Sequence, residues 1–122
     1  MDIVKMEKTD GRSETKGCST GATAIIGQLK DIWLNENYKD VSYNVVDCDG
    51  HLFLGGDHSI TYEIFSNHPC DGLLVFDAHP DVYQEFSSPT HSDWLKFLVE
   101  DGKINAENII IVGLRSFHKD EI

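Results

Sequence analysis

Leu73-Leu74-Val75-Phe76-Asp77-Ala78-His79-Pro80-Asp81 is the stretch on which the reading of the fold turns. Its apolar run, Leu73 to Phe76, has no polar alternation, so it predicts a short parallel strand covered on both faces. Three side chains able to ligate a metal follow at every second position. If the backbone stays near extended past Phe76, the two-residue side-chain period sends Asp77, His79 and Asp81 to the same side. Upstream, Gly55-Gly56-Asp57-His58-Ser59 follows a second apolar segment, Leu52-Phe53-Leu54, and delivers a further histidine.

Two imidazoles and two carboxylates with no nearby cysteine make a borderline-hard nitrogen and oxygen donor set. Such a set suits Mn²⁺, Fe²⁺, Co²⁺ or Zn²⁺ and argues against a structural thiolate zinc. A carboxylate between other ligands can bridge two ions about 3.5–4 Å apart and so acidify a shared water; Asp77 is the candidate bridge. Taken singly, each motif favours the plainer reading, a solvated turn after a strand, with Asp57 and Ser59 capping a helix. Both, however, fall after apolar segments, where ligands of open α/β sheets gather at the carboxyl ends of strands.

With these two segments the chain resembles the ureohydrolase family of arginases, agmatinases and formimidoylglutamases, matching two of that family's three signature segments. The resemblance implies a three-layer α/β/α fold around a mainly parallel sheet, carried incompletely by residues 1–122 as a single partial domain. It also implies a binuclear Mn²⁺ centre and hydrolysis of a guanidinium compound, agmatine or arginine, to urea, or of formimidoylglutamate to formamide, by a metal-bound hydroxide. By position, His58, Asp77 and Asp81 would hold one manganese, and Asp77 and His79 the other. His91, in Pro89-Thr90-His91-Ser92, resembles the family's non-ligand histidine, which orients substrate and shuttles protons; imidazole, with an ordinary pKa of about 6.5, suits that work. The same residue reads nearly as well as a solvent histidine at a helix start. Trimers or hexamers are the assemblies the resemblance implies.

The family's third segment, Ser-x-Asp-x-Asp-x-x-Asp-Pro, has no counterpart. Asp47-Cys48-Asp49 is the sole Asp-x-Asp, lies before both other motifs and lacks the trailing Asp-Pro; it reads as a strand end entering a turn. The sequence is therefore expected to be a truncated form. Two divalent ions facing only Asp77 and Asp81 would keep two uncompensated positive charges, so one weakly held ion is expected. The alternative function is a catalytically inactive remnant acting as a metal-binding or oligomerisation module.

Composition limits the partners. At 122 residues and 40% hydrophobic the chain can bury a real core, and its formal net charge of −11 with pI near 4.7 offers no basic surface for nucleic acid or an anionic membrane. An acidic field favours a small cationic ligand. Cys18, Cys48 and Cys70 are widely spaced with no Cys-x-x-Cys pair, fitting reduced thiols. The charged start, Met1-Asp2-Ile3-Val4-Lys5, carries no apolar leader, so a cytoplasmic protein is expected.

The remaining elements alternate strand and helix. Ile3 to Met6 is an expected strand, Glu7 to Thr20 a polar loop too charged to pack, and Gly21 to about Asn35 an amphipathic helix. Tyr43 to Asp47 reads as a strand, and Ser59 as the N-cap of a helix through Phe65. A helix from near Ser92 closes at Gly102, which suits the C′ position, and Ile109 to Val112 is a last buried strand. Only Cys48-Asp49-Gly50-His51 separates the strands ending at Asp47 and beginning at Leu52, which permits a tight hairpin or marks a missing helix. Tyr83, Glu85 and Phe86 could line a substrate mouth or pack a lid, and Arg115 could pair with the acidic loop or stand in solvent.

Overall fold

The computed structural model describes residues 2–10, 12, 15–29, 40–41, 51–83 and 86–121. They form two compact units, Met1–Ile60 and Thr61–Ile122.

In the first unit β1 (Asp2–Lys5) is flanked on both sides by parallel partners, β2 (Asp40–Val41) and β3 (His51–Leu54). The β1–β3 register runs from Asp2 opposite His51 to Lys5 opposite Leu54, and the ladder continues one step as Met6 N–H donates to the Leu54 carbonyl at 2.8 Å. A strand paired on both edges sits deepest, and Ile3 and Val4 are buried accordingly. Helix α1 (Gly21–Leu29) buries Ala22 and Ile26, one turn apart on a single face. The expected extension of this helix to Asn35 and the expected Tyr43–Asp47 strand lie outside the described residues. β3 meets β1 in parallel.

Helix α2 (Ser59–Asn67) starts at the end of the first unit and runs into the second. In the second unit β4 (Leu73–Phe76) and β5 (Ile109–Val112) pair in parallel, Leu73 opposite Ile109 and Phe76 opposite Val112, with α3 (Trp94–Glu100) in the connection. Trp94, Leu95 and Leu98 pack with Val75 and Ile104 as the buried core, against which Leu73, Ile109 and Ile111 also pack. The helix stops where expected. Gly102 has φ 64, its N–H donates to the Val99 carbonyl at 3.0 Å, and Lys103 N–H donates to the Leu98 carbonyl at 2.9 Å. This paired bonding is a Schellman motif, which needs the left-handed residue that glycine supplies.

One expectation fails. β4 is covered on a single face: Val75 is buried, but Leu74 and Phe76 are 56% and 74% exposed, and their register partners Ile110 and Val112 are exposed beside them. Alternation along each strand sends every second residue to the face opposite α3. An unbroken apolar run cannot say whether both of its faces are occupied. Among the described residues no helix is long and apolar enough to cross a membrane.

Candidate metal centre

The loop after β4 is pinned from β5 through backbone atoms. Asp77 N–H donates to the Val112 carbonyl at 3.1 Å, and the N–H groups of Arg115 and Ser116 both donate to the Ala78 carbonyl at 3.0 Å. Gly113 lets the two segments lie this close: at φ 100 it takes a left-handed conformation, and a Cβ there would stand 3.2 Å from the Asp77 carbonyl oxygen. Arg115 thus holds the acidic loop by its main chain, while its guanidinium reaches the Gly113 carbonyl at 3.5 Å.

Within that loop Asp77 and Asp81 bring carboxylate oxygens within 4.8 Å of each other. They meet by a turn and not by the extended backbone expected. Asp77 Oδ1 accepts the His79 N–H at 3.0 Å, which bends the chain as Asx turns do, and Asp81 has φ 53, the sole positive φ among described non-glycine residues. Asp81 is buried, and the indole Nε1–H of Trp94 donates to its Oδ2 at 2.7 Å. His79 takes a different place: its side chain is 59% exposed, with Nδ1 3.5 Å from Asp77 Oδ1. Strict alternation therefore describes the loop poorly, because its backbone leaves the strand geometry at Asp77.

The Gly-Gly-Asp-His-Ser segment forms the β3–α2 turn of the first unit. His58, half-buried, stands immediately before Ser59, the first residue of α2. Ser59 is not the acceptor at the helix start; Asp57 Oδ1 accepts both the Ser59 N–H at 3.0 Å and its hydroxyl at 2.5 Å. Asp57 Oδ2 accepts the Thr9 hydroxyl and the Asp10 N–H, the latter at 3.2 Å. Burial pushes the Asp57 carboxyl upward, but hydrogen bonds from Ser59, Thr9 and Thr15 outweigh it and hold the group below its ordinary 3.8. The loop read as too charged to pack is thus tied down where it is described. Gly56 N–H donates to the Lys8 carbonyl at 3.2 Å, and Asp10 accepts the Arg12 N–H at 3.0 Å and the Thr15 hydroxyl at 3.1 Å.

His91 is half-buried in the turn that leads into α3, between Thr90, which is 2% exposed, and fully buried Asp93. Asp93 Oδ1 closes this turn by accepting the Thr90 N–H at 2.6 Å and the Thr90 hydroxyl at 2.7 Å. Tyr83 lies against the His118 ring, 4.6 Å between centroids.

The donor chemistry of the Asp77–Asp81 loop fits a divalent cation: two carboxylates brought together and an adjacent imidazole form an oxygen-rich set in which cationic charge would offset anionic repulsion. Sequence reasoning did not find the contributions of Thr9, Asp93 and Trp94. A buried tryptophan needs a partner for its N–H, and that was the signal available for Trp94.

A parallel α/β arrangement with a carboxylate-bearing loop at the carboxyl end of a strand places these residues where open α/β sheets gather ligands. The Arginase family profile matches residues 4–122, and the chain belongs to that family, the ureohydrolases. It is 39% identical over 77 residues to an arginase of Glycine max, covering 57% of this chain and 21% of that one. An arginase of Staphylococcus aureus (strain COL) is 32% identical over 100 residues, covering 68% and 33%. Among solved structures, proclavaminate amidino hydrolase from Streptomyces clavuligerus is similar with a TM-score of 0.76 at 18% identity, over 97% of this chain and 52% of that one. Formimidoylglutamase from Bacillus subtilis aligns with a TM-score of 0.66 at 19% identity, over 94% and 47%. These likenesses give the chain an incomplete arginase-like α/β fold. The chain spans a third or less of these curated relatives and about half of these solved structures.

Proposed function

We propose that residues 1–122 are one partial domain of a cytoplasmic, manganese-dependent ureohydrolase. Its substrate class is a small cationic guanidinium compound, agmatine or arginine, cleaved to urea and an amine or amino acid, or alternatively formimidoylglutamate. The observation that carries this reading is the meeting of the Asp77 and Asp81 carboxylates in a chain of the arginase family.

As the family resemblance implies, His58, Asp77 and Asp81 would hold one Mn²⁺, and Asp77 and His79 a second. Bound divalent ions supply Lewis acidity that brings the pKa of water towards neutrality. The residues do the rest. Asp77 and Asp81 lend negative charge where cations and a guanidinium gather. His91 orients the substrate and carries a proton to the nitrogen that departs as the C–N bond breaks and a water oxygen bonds to the amidine carbon. Trimers or hexamers are the assemblies proposed.

The test pairs thermal unfolding with turnover. Mn²⁺ should raise the melting temperature of the chain and leave Asp77→Asn/His79→Ala unmoved; equal responses overturn the metal assignment. Urea from arginine or agmatine, as against formamide from formimidoylglutamate, identifies the substrate. Mn²⁺ binding with no turnover on any of them would make this chain a metal-binding or oligomerisation module.

A further inference from the structure

The Asp81 carboxylate is unusual in three ways at once. It is 8% exposed, its backbone is left-handed at φ 53, and it is gripped by an indole. A buried carboxylate without compensation is strongly disfavoured. A left-handed aspartate is tolerated, but it persists in a loop only where the surroundings hold it. Trp94 is one surrounding group that does so, through the 2.7 Å bond from Nε1–H to Oδ2.

The choice of donor matters. Indole N–H is donor-only: it can neither ligate a cation nor take a proton, so it fixes a carboxylate oxygen without competing for what that carboxylate binds. Trp94 is itself immobilised. It is 1% exposed, packs in the core with Leu95, Leu98 and Val75, and opens α3 directly after the Asp93 turn. That turn carries His91, three positions before Trp94. Rigid core, indole, cation loop and the His91 turn are therefore joined through one side chain.

We propose that Trp94 is a positioning residue for the cation loop: its indole N–H holds the Asp81 carboxylate in the orientation that receives a divalent ion and keeps that loop in register with the turn bearing His91. The proposal rests on the reading of Asp81 as a ligand. Outer groups that orient ligating carboxylates typically change metal affinity by about 10–100-fold when removed.

Mn²⁺ affinity measured by calorimetry on the 122-residue chain tests it. Trp94→Phe keeps an aromatic ring in the core and removes the donor, so Mn²⁺ should bind about tenfold or more weakly. Ile64→Val, which trims a buried apolar side chain outside the core cluster that holds Trp94, serves as control and should keep wild-type affinity. Wild-type Mn²⁺ binding with an unchanged Trp94→Phe constant overturns the role of Trp94 while the cation site stands. Affinity lost equally in Ile64→Val also overturns it, since general loosening would then explain the effect. No Mn²⁺ binding by the wild type removes the cation site and the inference together. A measurement free of variants is the ¹⁵N-indole resonance of Trp94, which should shift on addition of diamagnetic Zn²⁺; an unmoved resonance at saturation overturns the coupling.

Discussion

The Thr9 hydroxyl donates to Oδ2 of Asp57, a residue 48 positions further along the chain. The same carboxylate takes the Asp10 N–H on that oxygen and the Ser59 N–H and hydroxyl on the other. One side chain thereby closes the loop after β1 onto the turn that carries His58. Asp57→Ala strips the acceptor from partly buried donors, for which a loss of about 1–3 kcal/mol is expected. Urea unfolding should show a lower midpoint with an unchanged slope. A wild-type midpoint would mean that the latch contributes nothing.

Gly56 makes the same junction possible by lacking a side chain. A Cβ there would lie 2.6 Å from the Lys8 carbonyl oxygen and 2.9 Å from the Cys18 carbonyl carbon and oxygen, all backbone atoms with no rotamer to give way. Gly56→Ala should therefore destabilise by about 1–3 kcal/mol, the cost of overpacking a fitted contact. Gly27, inside α1 with nothing within 4 Å of its Cβ position, supplies the opposite case. Gly27→Ala should stabilise by about 0.5–1 kcal/mol through helix propensity alone. Thermal unfolding of the two alanine variants should move in opposite directions; two losses would show that propensity does not govern α1.

Strands β1, β3, β4 and β5 and the helices were legible because each carries a local signal, whereas the two-residue β2 (Asp40–Val41) carries none. Unbroken apolar runs mark β4 and β5, Gly102 marks the end of α3, and the acidic loop follows β4 at once. What stayed hidden is what local pattern cannot encode. The Thr9–Asp57 bond joins residues 48 apart, and polar loop residues look alike whether solvated or knotted. The period-two argument brought Asp77 and Asp81 to one side by the wrong route, since it assumed extended backbone where Asp81 turns left-handed. The run Leu73 to Phe76 could not reveal that its second face is bare, because burial on that face depends on elements elsewhere in the chain.

That bare face yields a contrast within the second unit. Leu98 is fully buried in the core and Phe76 is 74% exposed, although both are large apolar residues in regular elements. Leu98→Ala should cost about 2–5 kcal/mol, the range for a buried leucine leaving a cavity, whereas Phe76→Ser should fall within about 0.5 kcal/mol of wild type. Chemical denaturation of both variants checks this. A large loss for Phe76→Ser would show that the face is covered in solution.

Tyr62 and Asp101 supply the alkaline counterpart. The Tyr62 hydroxyl donates to Asp101 Oδ2 at 2.5 Å, and this bond to a carboxylate is the main cause that raises the phenol above its ordinary 10.0; Ser66 opposes it, while burial and the Asp101 charge add to it. The folded pKa lies above the unfolded one, so the bond's contribution is complete below about pH 10. It disappears as pH rises through the folded pKa, where a phenolate would face a carboxylate. The stability difference between wild type and Tyr62→Phe should accordingly be constant from neutral pH to about pH 10 and shrink above it. Asp101→Asn should bring the phenolate absorbance transition of Tyr62 to lower pH. A transition unmoved by Asp101→Asn would show that the phenol does not depend on that carboxylate in solution.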